Sequence, residues 1–262
     1  MKALPRHSFA GAPAPMRGAA EAFQARFGVG FATLTHLSFD TLTALHARGD
    51  DEAALMRNVM VASESDPAIL PAFDRLARIA NRQQPSLEER AEYFETLQSV
   101  YRRLEGAMPL DGERLLVAPE REGRILAEVL GWLRPGRDLA PHAKRIPYEH
   151  GLLVGVSPCG APPAERLVIV DGAIASGATI IALLDLLASS EVPIDIFSVH
   201  AAREGVRAIL RCARDAGWSV RIHAGHVTEG LSGKFYAIAP GGLAVGDLGD
   251  MIDSVAATVQ AS

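Results

Sequence analysis

The sequence predicts an α/β fold: a mainly parallel sheet with helices on both faces, a helical N-terminal region and a helical insert. Two observations predict it. From Arg114 onward, short Val/Ile/Leu-rich runs alternate with helical stretches of ten or more residues, the pattern of parallel strands joined by crossover helices. Before Arg114 the apolar spacing is almost entirely helical. With 48% hydrophobic residues in 262, the chain can bury a sizeable core.

The elements follow in order. Residues 1–30 read as a flexible Pro/Gly/Ala-rich lead and a first helix over Met16 to Phe27, and 31–262 as a single α/β domain with a helical insert at 65–112. "HLSFDTLTALHARGDDEAALMRNVMVAS" supplies two helices about the Gly49-Asp50-Asp51 break, with Asp50 or Asp51 as N-cap. Another helix follows Pro67. "PSLEERAEYFETLQSVYRRL" is a strong one, because Ser86 and Glu89 form a Ser-x-x-Glu capping box.

Beyond Arg114, "RLLVA", "GLLVGVS", "RLVIV", "IDIFSVHA" and "SVRIHAG" read as strands and "KFYAIA" as a further one. "EGRILAEVLGWL", "SGATIIALLDLLA" and "REGVRAILRCARDAG" read as helices. Ligands of such sheets bind at the carboxyl ends of strands. Asp171 closes one of them.

Composition excludes several classes. A formal charge of −5 gives no basic surface for nucleic acid. No run approaches the roughly 18 apolar residues of a membrane span, and the start lacks a signal-peptide core. Two cysteines, Cys159 and Cys212, make no disulfide framework, so a cytoplasmic setting is expected.

"LVIVDGAIASGATIIALLDLL" ends an apolar strand on Asp171 and crosses to a helix through small residues. Such a turn gathers backbone N–H groups at the positive end of a helix dipole, which suits an anion. Ser176 and Thr179 add hydroxyls, and Gly177 admits close approach. Neither GxxxxGK[ST] nor GxGxxG is present.

The segment resembles the signature of phosphoribosyltransferases, which bind 5-phosphoribosyl 1-pyrophosphate (PRPP): an apolar strand, an acidic start, then Thr/Ser-Gly-x-Thr/Ser. Gly172 stands where many members carry a second acid, and the uracil-type branch of the family lacks that acid as well. "TEGLSGKFYAIAPGGLAVGDLGDM" is similar to the C-terminal base-site segment of that branch, through Glu229-Gly230-Leu231, Tyr236, Pro240-Gly241, Gly246-Asp247 and Gly249-Asp250. "PEREGRIL" resembles the family's pyrophosphate loop, and "HAKRIPYE" its mobile basic segment. The resemblance spans residues 35–64 and 114–253.

It implies a type I phosphoribosyltransferase fold and transfer of 5-phosphoribosyl, with loss of pyrophosphate, to a uracil-like base or another small acceptor, such as an amine or hydroxyl of specialised metabolism. Asp171, Arg121 and Arg145 are the implied catalytic residues. Asp171, Gly172, Ala175, Ser176, Gly177, Ala178, Thr179, Arg121, Arg124, Lys144 and Arg145 would bind PRPP. Tyr236, Ala239, Pro240, Gly241, Gly246, Asp247 and Asp250 would face the acceptor. Mg²⁺ would be bound mainly through PRPP and water, and a homodimer is expected.

Departures lie at Thr228, Ser232 and Met251 and in the added Gly242 to Val245. A non-catalytic PRPP or nucleotide regulator on the same fold is the alternative, and a helical interaction module a third reading. Solvated charges would account equally for Arg121, Arg124, Lys144 and Arg145, and a helix cap for Asp247. His200 reads as a hydrogen-bonded strand-end histidine, and the odd spacing of His223 and His226 argues against a metal pair.

Overall fold

In a computed structural model of the chain, the described residues are 33–82, 84–107, 113–120, 122–134, 137–157, 164–232 and 236–244, with short helical pieces between 18 and 27. The remainder of the first helix expected over Met16 to Phe27 lies outside them.

The strands in chain order are β1 (Thr33–Ser38), β2 (Val59–Val61), β3 (Arg114–Val117), β4 (Ala143–Tyr148), β5 (Gly151–Val156), β6 (Arg166–Val170), β7 (Ala173–Ile174), β8 (Ile194–Ala202) and β9 (Val220–Thr228). The helices are α1 (Phe39–His46), α2 (Glu52–Met56), α3 (Ala62–Ser65), α4 (Leu70–Ala80), α5 (Leu87–Glu105), α6 (Glu122–Val129), α7 (Ala178–Leu187) and α8 (Arg203–Ala216).

The main sheet runs β2-β9-β8-β6-β3, with β7 beside β8, and every one of its ladders is parallel. Strands β3, β6 and β8 are buried on both faces, which is why they read as largely apolar runs. Alternation sorts the side chains: Leu167, Ile169, Ile194 and Ile196 join a core under α7 and α8, while Val168, Val170, Phe197 and Val199 join a second core under α4, α5 and α6. The expected α/β class, helices on both faces of a mainly parallel sheet, is what the chain adopts.

Four sequence expectations are corrected. "GLLVGVS" forms β5, but in a separate antiparallel sheet of order β1-β5-β4 packed on α7. The basic segment is strand β4, paired with β5 along its whole length; Pro147 and two adjacent cations hide its alternation in the sequence. The first hundred residues also hold β1 and β2, short strands whose few residues mimic one helical face. "KFYAIA" adds no strand to the main sheet: Leu231 with Ala237 and Ile238 with Ala244 form isolated bridges, and Lys234 and Phe235 lie outside the described residues.

Local chemistry sets the helix ends. The Ser86–Glu89 capping box is complete, with Glu89 N donating to Ser86 Oγ at 3.2 Å and Ser86 N to Glu89 Oε2 at 2.9 Å. Asp51 occupies the N-cap of α2, yet makes no cap bond. Its carboxylate instead accepts from Arg211 at 2.7 Å and Arg214 at 2.7 Å, and these bonds hold its pKa far below the usual carboxylate range. Arg211 also donates to the carbonyls of Leu45 (2.8 Å) and Ala47 (2.6 Å), satisfying the C-terminal end of α1. An arginine stripe on α8 thus fixes α1, and α1 ends on His46.

Candidate functional site

Strand β6 stops at Val170 and the chain turns at the carboxyl edge of the sheet. Asp171 is anchored there by its backbone: its N–H donates to Phe197 O at 2.9 Å, and its carbonyl accepts from Tyr101 Oη at 3.3 Å. Its side chain is half-buried. The carbonyl of Gly172 accepts from the amides of Val199 and His200 and from Ser198 Oγ, so this short crossing is locked onto β8.

The turn that follows, Ala175 to Gly177, is buried, with Ser176 fully enclosed. Gly177 is the N-cap of α7 with φ of 80°, a left-handed conformation natural to glycine. Packing adds a second reason: a Cβ at Gly177 would sit 2.8 Å from Gly205 O. In return a Cβ at Gly205 would sit 2.1 Å from Ala175 O and 3.0 Å from Gly177 N. Two glycines therefore let the first turn of α8 lie directly against the turn.

The first i→i−4 bond of α7 runs from Ile181 N to Gly177 O at 2.9 Å. The amides of Thr179 and Ile180 precede that bond at a helix start that carries no acidic residue in its first turn. They supply donors and dipole for an anion. Ser176 Oγ is directed at the Ala178 amide at 3.4 Å.

Two groups that sequence reasoning missed complete this side. His46 bonds through Nε2 to Ser176 O at 2.9 Å, and Arg207 Nε donates to His46 O at 2.8 Å. Burial lowers the His46 pKa, with the Ser176 bond acting in the opposite direction, so the neutral ring donates Nε2–H to the carbonyl. Arg207, itself buried, also pairs with Glu52 at 3.1 Å. Only tertiary structure joins these residues, so no local signal could have found His46. For Gly205 the local signal is a glycine in the first turn of a strong helix.

The expected pyrophosphate residues scatter. Gly123 is pressed on the strand end, where a Cβ would lie 2.2 Å from Val170 O, so the start of α6 sits beside Asp171. Arg121 lies outside the described residues. The exposed Arg124 is engaged by Glu128 at 2.8 Å and Glu120 at 3.4 Å, which raise its pKa, the Glu128 hydrogen bond most. Lys144 and Arg145 are half-buried on β4, opposite Gly155 and Val154, and their side chains bond to no described residue.

In the segment expected to face the acceptor, Tyr236 O accepts from Ser232 N at 2.8 Å and Tyr236 N donates to Ser232 Oγ at 3.0 Å, and Ala239 is buried against Ala77 of α4. Pro240 and Gly241 are exposed. Gly246, Asp247, Asp250 and Met251 lie outside the described residues. Glu204 receives Gly230 N on both carboxylate oxygens at 3.1 Å, tying the chain after β9 to α8.

The three histidines at the sheet have separate partners. His200, 1% exposed, meets Thr228 Oγ1 at 3.2 Å, and burial drives its pKa down to about 3. His226 bonds to Ser63 Oγ at 2.7 Å, and His223 to Asp195 at 2.9 Å. Among the described residues no group of three His, Cys, Asp or Glu is placed to hold a metal.

Neither a family model nor a curated protein matches the sequence. Among solved structures, the AQ2163 protein from Aquifex aeolicus is similar over 75% of this chain and 98% of its own, at 22% identity and a TM-score of 0.52. Adenine phosphoribosyl transferase from Trypanosoma brucei, solved with AMP, pyrophosphate and ribose-5-phosphate, is similar over 64% of this chain and 84% of its own, at 12% identity and a TM-score of 0.42. Orotate phosphoribosyltransferase from Mycobacterium tuberculosis, solved with PRPP, gives 63%, 95%, 12% and 0.37 in the same terms. The first likeness establishes a shared fold and nothing beyond it, and the other two are too low to add to it.

Proposed function

We propose that the chain transfers a 5-phosphoribosyl group from PRPP to a small acceptor with release of pyrophosphate. One observation supports this most: a carboxylate at the end of a parallel strand stands four residues before a glycine-tight turn that opens a helix. A sugar phosphate needs those two features side by side, a carboxylate for its hydroxyls and a dipole-backed cradle for its phosphate.

In this reading the bond from C1 of the ribose to pyrophosphate breaks as the acceptor's lone pair forms the new bond, and the acceptor gives up a proton. Charge spreads over an oxocarbenium-like ring and a leaving anion, so catalysis is positioning and neutralisation. Asp171 would hold the ribose hydroxyls, Gly172 the close approach, and Ala175 to Thr179 the 5-phosphate. Arg121, Arg124, Lys144 and Arg145 would face pyrophosphate; Tyr236, Ala239, Pro240, Gly241, Gly246, Asp247 and Asp250 the acceptor. For Arg124 that role requires release from Glu120 and Glu128.

Mg²⁺ would be taken up with PRPP as a hard cation that needs few protein ligands, with the Asp171 carboxylate as the chain's oxygen donor beside it. When bound it would neutralise charge on the departing pyrophosphate.

The test is pyrophosphate release from PRPP and Mg²⁺ across uracil, orotate, adenine and primary amines, with PRPP affinity measured beside it. Asp171→Asn is expected to weaken PRPP binding at least tenfold, the loss of a charge-assisted hydrogen bond. Wild-type protein that leaves PRPP unbound would overturn the reading. A second reading, a PRPP-binding regulator without turnover, is favoured by the occupied guanidinium of Arg124; tight PRPP binding with no pyrophosphate released on any acceptor would decide for it.

A further inference from the structure

The loop that carries Ala239, Pro240 and Gly241 is held by a helix that the motif resemblance does not cover. Asp74 of α4 accepts from Gly241 N at 2.6 Å through Oδ1. Asn81, at the C-cap of α4, donates through Nδ2 to Ala244 O at 2.5 Å and to Ala77 O at 2.7 Å. Between these ties Ala77 and Ala239 are both buried, two small side chains that let the loop lie on the helix.

The loop's own bonds close it on itself. Gly242 N donates to Ala239 O at 2.9 Å and Ala239 N to Leu243 O at 2.7 Å. The bridges at and before its base, Leu231 with Ala237 and Ile238 with Ala244, are isolated, so no ladder fixes its height above the sheet. Beneath it α4 reaches the strand ends directly: the Phe73 ring lies 5.7 Å from His200 and 5.1 Å from His226. His200 is next to the backbone of Ile238.

We infer that α4 is a specificity element: Asp74 and Asn81 are positioning residues that set the 239–244 loop, and through it which acceptor reaches the sugar. The inference rests on the phosphoribosyl-transfer reading for the word acceptor, and on the structure alone for the tether. A helix tied to the loop by two side chains lets the acceptor wall change while the phosphate turn on the opposite core stays as it is.

The experiment compares Asp74→Ala, Asp74→Asn and Asn81→Ala with wild type in three readouts. Amide hydrogen exchange over 239–244 should speed up about ten- to a hundredfold in Asp74→Ala, the loss of a hydrogen bond to a charged acceptor. Exchange within α4 should stay at the wild-type rate. Asp74→Asn, whose amide oxygen still accepts, should restore most of the protection.

PRPP affinity should be unchanged in all three variants. The relative pyrophosphate-release rates with uracil, orotate, adenine and ethanolamine should shift about tenfold in Asp74→Ala. Unchanged loop exchange in Asp74→Ala and Asn81→Ala overturns the tether. Changed loop exchange with unchanged acceptor selectivity overturns the specificity role, as does an equal loss of PRPP affinity. Wild-type protein that fails to bind PRPP overturns the transfer reading, and the exchange data then decide the tether by themselves.

Discussion

The turn after Asp171 and the 239–244 loop stand at the same edge of one sheet and are held in opposite ways. The turn is fixed by backbone: buried residues, a left-handed Gly177 and a Gly205 with no space for a methyl group. The loop is largely exposed and fixed by the side chains of Asp74 and Asn81. Backbone packing leaves no room for variation, whereas side-chain ties can be exchanged one at a time. Under the proposed transfer, the rigid rim would take the common sugar phosphate and the adjustable one the particular acceptor.

The strongest way to break the comparison is Gly205→Ala. Its Cβ would lie 2.1 Å from Ala175 O, where neither backbone can yield cheaply. Destabilisation above about 3 kcal/mol is expected, the upper range for overpacking. Gly241→Ala, whose Cβ would meet the Asp74 carboxylate at 3.0 Å, should cost under about 1 kcal/mol, because that side chain can move. Denaturant unfolding of both variants measures the difference; equal costs would erase the contrast.

A smaller effect comes from pH. The folded pKa of His200 is about 3 against an ordinary 6.5. Below pH 6.5 the unfolded chain binds a proton that the native site refuses, so stability falls as pH drops toward 3 and is flat in this group above 6.5. One such proton gives a slope of about 1.4 kcal/mol per pH unit. His46 and His226, also lowered mainly by burial, add to the slope with the same sign. His200→Asn should remove about one proton's worth of slope between pH 6.5 and 5, read from urea unfolding. A slope equal to wild type would show that His200 is protonated in the native fold.

Smaller again is His46→Ala, which removes the bond to Ser176 O and leaves that buried carbonyl unpaired. A cost of about 1–2 kcal/mol is expected. If the turn binds phosphate, PRPP affinity should fall in step while loop exchange over 239–244 stays put. A change confined to the loop would reverse the assignment of the two rims.

Legibility in the sequence follows the same division. The parallel sheet could be read because β6 and β8 are largely apolar on both faces, and the strand-to-helix turn after Asp171 because its small residues are contiguous. β4 escaped because a half-exposed strand with Lys144, Arg145 and Pro147 has neither an apolar run nor clean alternation. The tether escaped for another reason. Asp74 and Gly241 are 167 residues apart and Asn81 and Ala244 163, and each is ordinary in its own neighbourhood: a solvated acid, a helix C-cap. His46 is 130 residues from Ser176. Contacts of this span arise from the fold and leave no local pattern.

Arg124 sharpens the comparison by the smallest effect. On the sequence it stands with the pyrophosphate residues; in the structure it is an exposed cation between Glu120 and Glu128 one helical turn to either side. Pairs of this kind contribute at most about 0.5 kcal/mol each. Arg124→Ala should therefore leave unfolding within about 1 kcal/mol of wild type, so its kinetics can be read without a stability correction. A fall in PRPP turnover of tenfold or more would place Arg124 on the leaving group, freed from its glutamates when the anion arrives. Wild-type turnover would make it a solvated surface pair, leaving Arg121, Lys144 and Arg145 as the cations to examine for pyrophosphate.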